Sequence, residues 1–328
     1  MTDPSRRVPS RREVVVAGMG AFVVGVLPLA ARRPSRVVRR TVPLMGTVAE
    51  LTAVHRDAAV AEAALDAAFA ELHRVERLMS RFRADSDIGR ANAAAGERAV
   101  IVDGETAGVV RAALEWADAS AGRFDPALGV VNEVWEVGSR LEPPSRLVLG
   151  RLAGRHLYRG VDLGRSSGEA VVALRERDVH LDLGGIAKGH GVDRAVAALR
   201  DRGVLNGIVS VGGDLYALGR RPDGDPWRVG VRSPHEPSRL MGAFEAEDEA
   251  VATSGDYERF FRHRGIVYHH LMDPATAAPV QSTRHSVTVR ADCCRDADAA
   301  ATVVFGLEPI EAARMLGTRG RATLVSIG

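Results

Sequence analysis

HLDLGGIAKGHGVDRAVAALR, residues His180 to Arg200, is the stretch whose reading decides the fold class. Val192, Ala195, Val196 and Leu199 recur at helical spacing, so the pattern predicts a helix beginning close to Lys188 or Gly189. The apolar residues before Gly184 read as a short strand, and Gly184, Gly185, Gly189 and Gly191 crowd the passage from strand to helix. A turn of this kind opens backbone N–H and C=O groups at a helix start, where small residues let an anion or a metal-phosphate group come close. Glycine-rich turns are also common punctuation, so this stretch needs company before it means chemistry.

The company comes on both sides. Downstream, GIVSVGGDLYALG (Gly207 to Gly219) reads as a buried strand, a turn at Gly212-Gly213-Asp214 and a second strand. Neither GxGxxG after a strand nor GxxxxGK[ST] occurs, which sets aside the dinucleotide-binding and P-loop folds. Upstream, Arg40 to Val54 has the β-branched content of a strand. Arg56 to Arg81 has helical periodicity, with Leu65, Ala68, Phe69, Leu72, Val75 and Met79 on one face. A second helix is predicted over Thr106 to Ser120, and Gly138 to Arg146 reads as a surface loop. Strands and helices therefore alternate without a fixed repeat.

The chain has 328 residues, 46% of them hydrophobic and 26% charged, enough for one large domain or two intertwined lobes. Its formal net charge is +2, and much of the positive charge lies in N-terminal arginines such as Arg6, Arg7, Arg11, Arg12, Arg39 and Arg40. The remaining body is near neutral or mildly acidic, and aromatics do not interleave with basic runs, which argues against a nucleic-acid partner. Cys293 and Cys294 are adjacent, so they supply neither a long-range disulfide nor enough ligands for a zinc site. Residues 1–40 read as a signal and linker, with the folded domain over 41–328. Arg11-Arg12 precede an uncharged apolar run from Val14 to Ala31, a pattern that resembles a twin-arginine export signal. The run is at the short limit for a membrane span and carries Gly18, Gly20, Gly25 and Pro28, so a cleaved signal is favoured over an anchor. This places the mature protein across the cytoplasmic membrane, in the periplasm or on its extracytoplasmic face, with membrane contact only through this segment.

Eight blocks then fall in a specific order: LMGTVAEL (Leu44 to Leu51), MSRFRADSDIGRAN (Met79 to Asn92), GRFDPALGVVNEVW (Gly122 to Trp135), LDLGGIAKGHGVDR (Leu181 to Arg194), SVGGDL (Ser210 to Leu215), TSGDYERFF (Thr253 to Phe261), YHHLMDPATAAPV (Tyr268 to Val280) and SVTVRADCCRDADAAAT (Ser286 to Thr302). Together they resemble the FAD:protein FMN transferases, the ApbE-like family, from about Leu44 to the C-terminus. The resemblance implies an α+β fold of two intertwined lobes, with mixed or antiparallel sheets, flanking helices and the flavin between the lobes. It also implies Mg²⁺-dependent transfer of FMN from FAD to a threonine or serine hydroxyl of an acceptor flavoprotein, with release of AMP. The acceptor it suggests is a subunit of a membrane redox complex.

Residue by residue, the resemblance gives the metal the Gly185 carbonyl, Asp298 and Thr302. It gives FAD Met45, Phe82, Arg123, Phe124, Asp125, Asp182, Lys188 and Met272. It gives the role of base to His270. The residues themselves agree with parts of this. Asp298 and Thr302 stand four apart, on one face of a helix, and Mg²⁺ prefers oxygen ligands. His269 and His270 are neighbours on an extended segment and so face opposite ways, which leaves one of them for the site. Asp273 is expected to orient this block or to lie near the metal. Phe82 stands where the family often has tyrosine, keeping the stacking face without the hydroxyl. Ala301 stands where some relatives have a second aspartate, which implies weaker metal binding. Ala277 replaces a usual glycine, so a turn that needs positive φ there would have to rearrange. Two other readings stay open: a pyrophosphatase that hydrolyses FAD to FMN and AMP, and a non-catalytic FAD-binding protein.

Overall fold

The computed structural model of the chain describes residues 22–25, 35–236, 238–317 and 322–328. The Arg11-Arg12 pair and most of the apolar run read as an export signal lie outside the described residues. Phe22–Gly25, from that run, forms a short strand. Among the described residues no helix is long and apolar enough to cross a membrane.

The backbone of the fold is a seven-stranded sheet: β1 (Arg36–Leu44), β2 (Thr47–His55), β3 (Asn206–Val211), β4 (Asp214–Leu218), β5 (Glu249–Gly255), β6 (Ser286–Ala291) and β7 (Ala322–Ile327). Each strand pairs antiparallel with the next in this series, so the sheet is a meander interrupted by long insertions. Alternation along the strands separates two cores. Leu51, Val209, Val211, Ala250 and Val289 face the helices, whereas Ile208, Leu215, Ala217 and Val251 meet Trp227 and Val229 of a small sheet on the other side. That second sheet joins Phe22–Gly25, Trp227–Arg232 and Leu240–Ala246, all antiparallel.

On the helical side lie α1 (Ala58–Met79), α4 (Ala187–Asp201) and α5 (Cys294–Val304). In α1 the residues predicted from periodicity are all buried, and Asp57 caps the helix by accepting the Ala59 N–H at 2.8 Å. The insertion between β2 and β3 builds the second lobe. It contains α2 (Gly104–Ala119), α3 (Gly129–Trp135) and a three-stranded sheet of Val100–Ile101, Glu169–Leu174 and Val161–Ser166. The architecture is α+β with antiparallel sheets.

Three sequence expectations are corrected. The single strand predicted over Arg40 to Val54 is a hairpin, β1 and β2, whose two-residue turn has Met45 at φ 53° and Gly46 at φ 68°. That is the primed turn geometry a tight hairpin requires, and a methionine adopts it here because its N–H donates to Glu76 Oε1 at 2.9 Å. The same strand begins at Arg36, inside the segment read as linker, and Arg40 pairs with Glu62 and Asp66 on α1. Finally, the apolar run before the glycines is no strand; it makes one isolated bridge, Leu128 with His180. Its backbone is satisfied instead by a side chain: Asn92 accepts the Leu181 N–H at 2.7 Å and donates to its carbonyl at 2.9 Å.

Candidate active site

A cavity of about 760 Å³ opens between the lobes. Its wall is assembled from the C-terminal end of α1, the Arg123 to Asp125 segment, the glycine turn, the start of α4, the β3–β4 turn, the end of β5, His270 to Met272 and one face of α5. Every residue assigned from the sequence lines it: Met45, Phe82, Arg123, Phe124, Asp125, Asp182, Gly185, Lys188, His270, Met272, Asp298 and Thr302. Residues spread over more than 250 positions of sequence thus meet in one space because the sheet brings β4, β5 and α5 against the helix that follows the glycines.

The four glycines divide into two jobs. A Cβ at Gly189 would stand 2.2 Å from the Cys294 carbonyl, and one at Gly191 would crowd Leu72, so these two let α4 pack tightly on α5 and α1. Gly185 belongs to the site, since a Cβ there would lie 3.1 Å from both Thr302 Oγ1 and a ring carbon of Phe124. The Gly185 backbone stands beside the Thr302 hydroxyl, and both line the cavity with the Asp298 carboxylate; oxygen donors of this kind are the ones Mg²⁺ prefers. Among the described residues no three His, Cys, Asp or Glu side chains converge on a metal position. A cation held here has to draw on the backbone and hydroxyl oxygens and on oxygens of a bound phosphate.

Asp298 is also tied to the start of α4. Its Oδ2 accepts the Gly189 N–H at 3.1 Å, so a carboxylate sits where the predicted anion would approach the helix N-terminus. Lys188 Nζ donates to both Asp298 oxygens at 3.1 Å and to Asp214 Oδ2 at 2.7 Å. Burial opposes the lysine charge, but the two carboxylates outweigh it and hold its pKa above the usual lysine range. Asp214 is driven the other way. Burial and then the neighbouring Asp298 push its pKa well up, against the pull of Lys188. Asp214 was not among the residues assigned from the sequence, although it ends the SVGGD block. Its role shows only once β4 is seen beside α4.

The residues assigned to FAD from the sequence have structural partners. Asp182 accepts the Gly184 N–H at 2.9 Å, the Asn132 amide at 2.7 Å and Arg81 Nε at 2.8 Å, so its carboxylate shapes the glycine turn and ties α3 to the end of α1. Arg123 donates to the Val303 and Phe305 carbonyls, both at 2.7 Å, and so caps the C-terminal end of α5, the helix of Asp298 and Thr302. Burial draws its pKa down. Asp125 accepts the Ala127 N–H at 2.9 Å with one oxygen, and its other oxygen is buried as well. Burial pushes its pKa up to about 6. Phe82 is 76% exposed at the mouth, and the Arg81 guanidinium lies 4.1 Å above its ring. Met45 and Met272 are half-buried in the wall.

His270 and His269 part as their adjacency predicts. His269 is buried, with Nε2 at 2.8 Å from the Val280 carbonyl and Nδ1 accepting the Leu271 N–H. His270 lines the cavity, and its N–H and Nδ1 both address the Arg259 carbonyl, at 3.2 and 3.4 Å. Burial lowers its pKa to about 4, so the imidazole is neutral at neutral pH. A proton placed on Nδ1 toward that carbonyl leaves Nε2 as the basic nitrogen. Asp273 accepts the Ala275 N–H and the Thr276 hydroxyl, so it shapes its own turn. That turn has not rearranged: Ala277 takes φ 51°, fully buried, and its carbonyl accepts the Trp135 indole N–H at 2.8 Å. Ala301 is buried in α5 and brings no oxygen.

Comparison with known proteins agrees with this geometry. The family model described as the ApbE family matches residues 45–325. A Treponema pallidum protein named FAD:protein FMN transferase is 35% identical, over 87% of this chain and 83% of its own. One of the same name from Vibrio cholerae is 29% identical, over 86% of each chain. The crystal structure of the Thermotoga maritima ApbE protein matches with a TM-score of 0.78 and 28% identity, covering 89% of this chain and 96% of that one. The apo Pseudomonas stutzeri flavinyl transferase ApbE matches with a TM-score of 0.76 and 26% identity, covering 89% and 92%. Fold, cavity and relatives together define a transferase. More particularly, the chain belongs to the ApbE family.

Proposed function

We propose that this transferase moves the FMN part of FAD to a threonine or serine hydroxyl of an acceptor flavoprotein, with Mg²⁺ bound and AMP released. One observation carries the reading: the Gly185, Asp298 and Thr302 oxygens, the Lys188 ammonium and the His270 imidazole all line one cavity of about 760 Å³, within the range that encloses a ligand of this size. The Gly185 carbonyl, Asp298 and Thr302 would hold Mg²⁺, which would supply charge neutralisation at the pyrophosphate. The acceptor oxygen attacks the phosphorus of the FMN half, the bridging P–O bond breaks, and AMP leaves with the bridging oxygen. His270, neutral at working pH, takes the hydroxyl proton as the new bond forms. Lys188 contributes positive charge beside the leaving phosphate, held in place by Asp214. Phe124 and the methionines offer the flavin an apolar wall, and Phe82 offers a ring at its mouth. The Arg11-Arg12 pattern supports export by the twin-arginine route, and with it an acceptor in a membrane redox complex on the far side.

The test mixes the full chain with FAD, Mg²⁺ and a threonine-bearing acceptor flavoprotein domain and follows intact mass. FMN mass on the acceptor, absent without Mg²⁺ and with His270→Ala, is the expected result. AMP without an adduct would replace the transferase with a pyrophosphatase. Bound FAD with neither product would leave a binding protein.

A further inference from the structure

The strands Phe260–His263 and Ile266–His269 form a two-stranded ribbon that joins neither of the larger sheets. Its turn, Arg264-Gly265, has φ of 49° and 81°, the primed geometry of a tight hairpin. Both roots of the ribbon are cavity wall. Glu258 and Arg259 precede the first strand, His270 follows the second, and the His270 N–H to Arg259 carbonyl bond closes the base. One face is fixed to the second lobe: Phe261 stacks on Tyr268 at 5.2 Å, and both pack on Trp135. The ribbon is therefore a supported projection at the mouth, beside the proposed base.

Its free surface is basic and apolar together. Phe260, Arg262, Arg264 and Ile266 are all exposed, and the Arg262 guanidinium lies 5.9 Å over the Phe260 ring. Leu141 joins them, since its carbonyl meets His263 Nδ1 at 3.2 Å at the tip of the ribbon. From Arg259 to Met272 the chain carries three arginines and no acidic residue. Among the described residues neither Arg262 nor Arg264 forms an ion pair, although arginines elsewhere on this surface, such as Arg40, Arg83 and Arg175, do. Four strand residues reach roughly 13 Å, so the tip arginines stand outside the space a nucleotide fills. They are placed for a macromolecule that arrives at the mouth.

We propose that this ribbon is the docking surface for the acceptor protein, and that the acceptor meets it with an acidic, partly apolar segment next to the accepting hydroxyl. The proposal rests on the transferase reading, because that reading requires a protein hydroxyl to reach His270. Complementary charge at a rim of this kind speeds encounter and selects partners.

The experiment uses the full chain, its Arg262→Glu/Arg264→Glu variant and two fluorescent peptides, each with one threonine, flanked by aspartates in one and by lysines in the other. Anisotropy measures binding at low and high salt. Binding of FAD, read from the quenching of its fluorescence without peptide, is followed in parallel. The wild-type chain is expected to bind the acidic peptide about tenfold more tightly than the basic one. High salt and the double variant should both abolish that preference, while FAD binding is the same in the variant. An Arg262→Gln/Arg264→Gln variant should fall between. Equal binding of the peptides, no binding of either, or a preference that survives charge reversal would overturn the proposal. So would weaker FAD binding in the variant, which would assign the arginines to FAD. If the wild-type chain moves no FMN to a threonine-bearing acceptor domain, the transferase reading fails, while the peptide preference is still read on its own.

Discussion

Replacing Lys188 with methionine removes a cation that touches both Asp214 and Asp298. Those carboxylates are 1% and 3% exposed, so the variant leaves two buried acids facing one another. Removing one partner of a buried ion pair costs about 3 to 5 kcal/mol. In a protein of 328 residues each kcal/mol moves Tm by about 1.5 °C, so a fall of about 5 to 7 °C is expected in EDTA. Magnesium should then act differently on the two proteins. At the proposed site the ion would share Asp298 with the Lys188 ammonium in the wild-type chain, whereas in Lys188→Met it would meet no such competitor. A ligand at a hundred times its Kd raises stability by about 2.7 kcal/mol. The Mg²⁺-induced rise in Tm, measured by scanning fluorimetry without FAD, should therefore be larger in the variant than in the wild type. Asp214→Asn should show the reverse, because Lys188 then has Asp298 as its remaining anion and holds it more firmly. A Mg²⁺ shift that is equal in all three proteins would refute the reasoning, and so would a Lys188→Met protein as stable as wild type in EDTA.

Other consequences are as direct. The Asp125 pKa lies at about 6, raised from 3.8 by burial, so the folded state favours the protonated acid. Its stabilising share is complete below 3.8 and is lost as pH rises through 6, a swing of about 3 kcal/mol. Asp125→Asn should thus gain on wild type between pH 4 and 7 in thermal melts, and a gap that narrows over that range would contradict the assignment. Ala277→Gly should be nearly neutral, because relief of the left-handed backbone, about 1 kcal/mol, is offset by unfolded-state entropy and a lost methyl. Ala277→Val should lose more than about 2 kcal/mol in urea unfolding, since a β-branched residue at φ 51° in a buried site meets both strain and overpacking. His270, with a pKa lowered to about 4, should leave kcat/KM for FAD turnover flat through pH 6.5. An inflection near 6.5 would show that a different group, or a solvated His270, is the base.

Much was legible in the chain itself. Helical periodicity found α1, α2 and α4 to within a few residues, because a helix that buries one face must repeat apolar residues every three or four positions. The ordered blocks located every wall residue assigned from the sequence, since backbone carbonyl, hydroxyl and carboxylate donors sit in short motifs. Adjacent His269 and His270 had to diverge, because strand geometry alone turns neighbours apart.

What the sequence could not decide depends on contacts between distant segments. The apolar run at Leu181 to Leu183 looks like a strand but is held by Asn92, 89 residues earlier, and no local pattern records such a partner. Ala277 keeps a conformation usually left to glycine because Trp135 and a sealed core over-determine it. Gly189 and Gly191 look identical to Gly185 in the sequence, yet packing against α5 and α1 makes them spacers, while Gly185 lines the cavity beside Thr302. Asp214 becomes the holder of Lys188 only when the sheet carries β4 beside α4. The sequence determined which side chains and backbone atoms were available and how each segment would curl. Tertiary structure decided which of them share a low-dielectric space, and there the same aspartate or lysine takes on a different charge balance from the one it has in water.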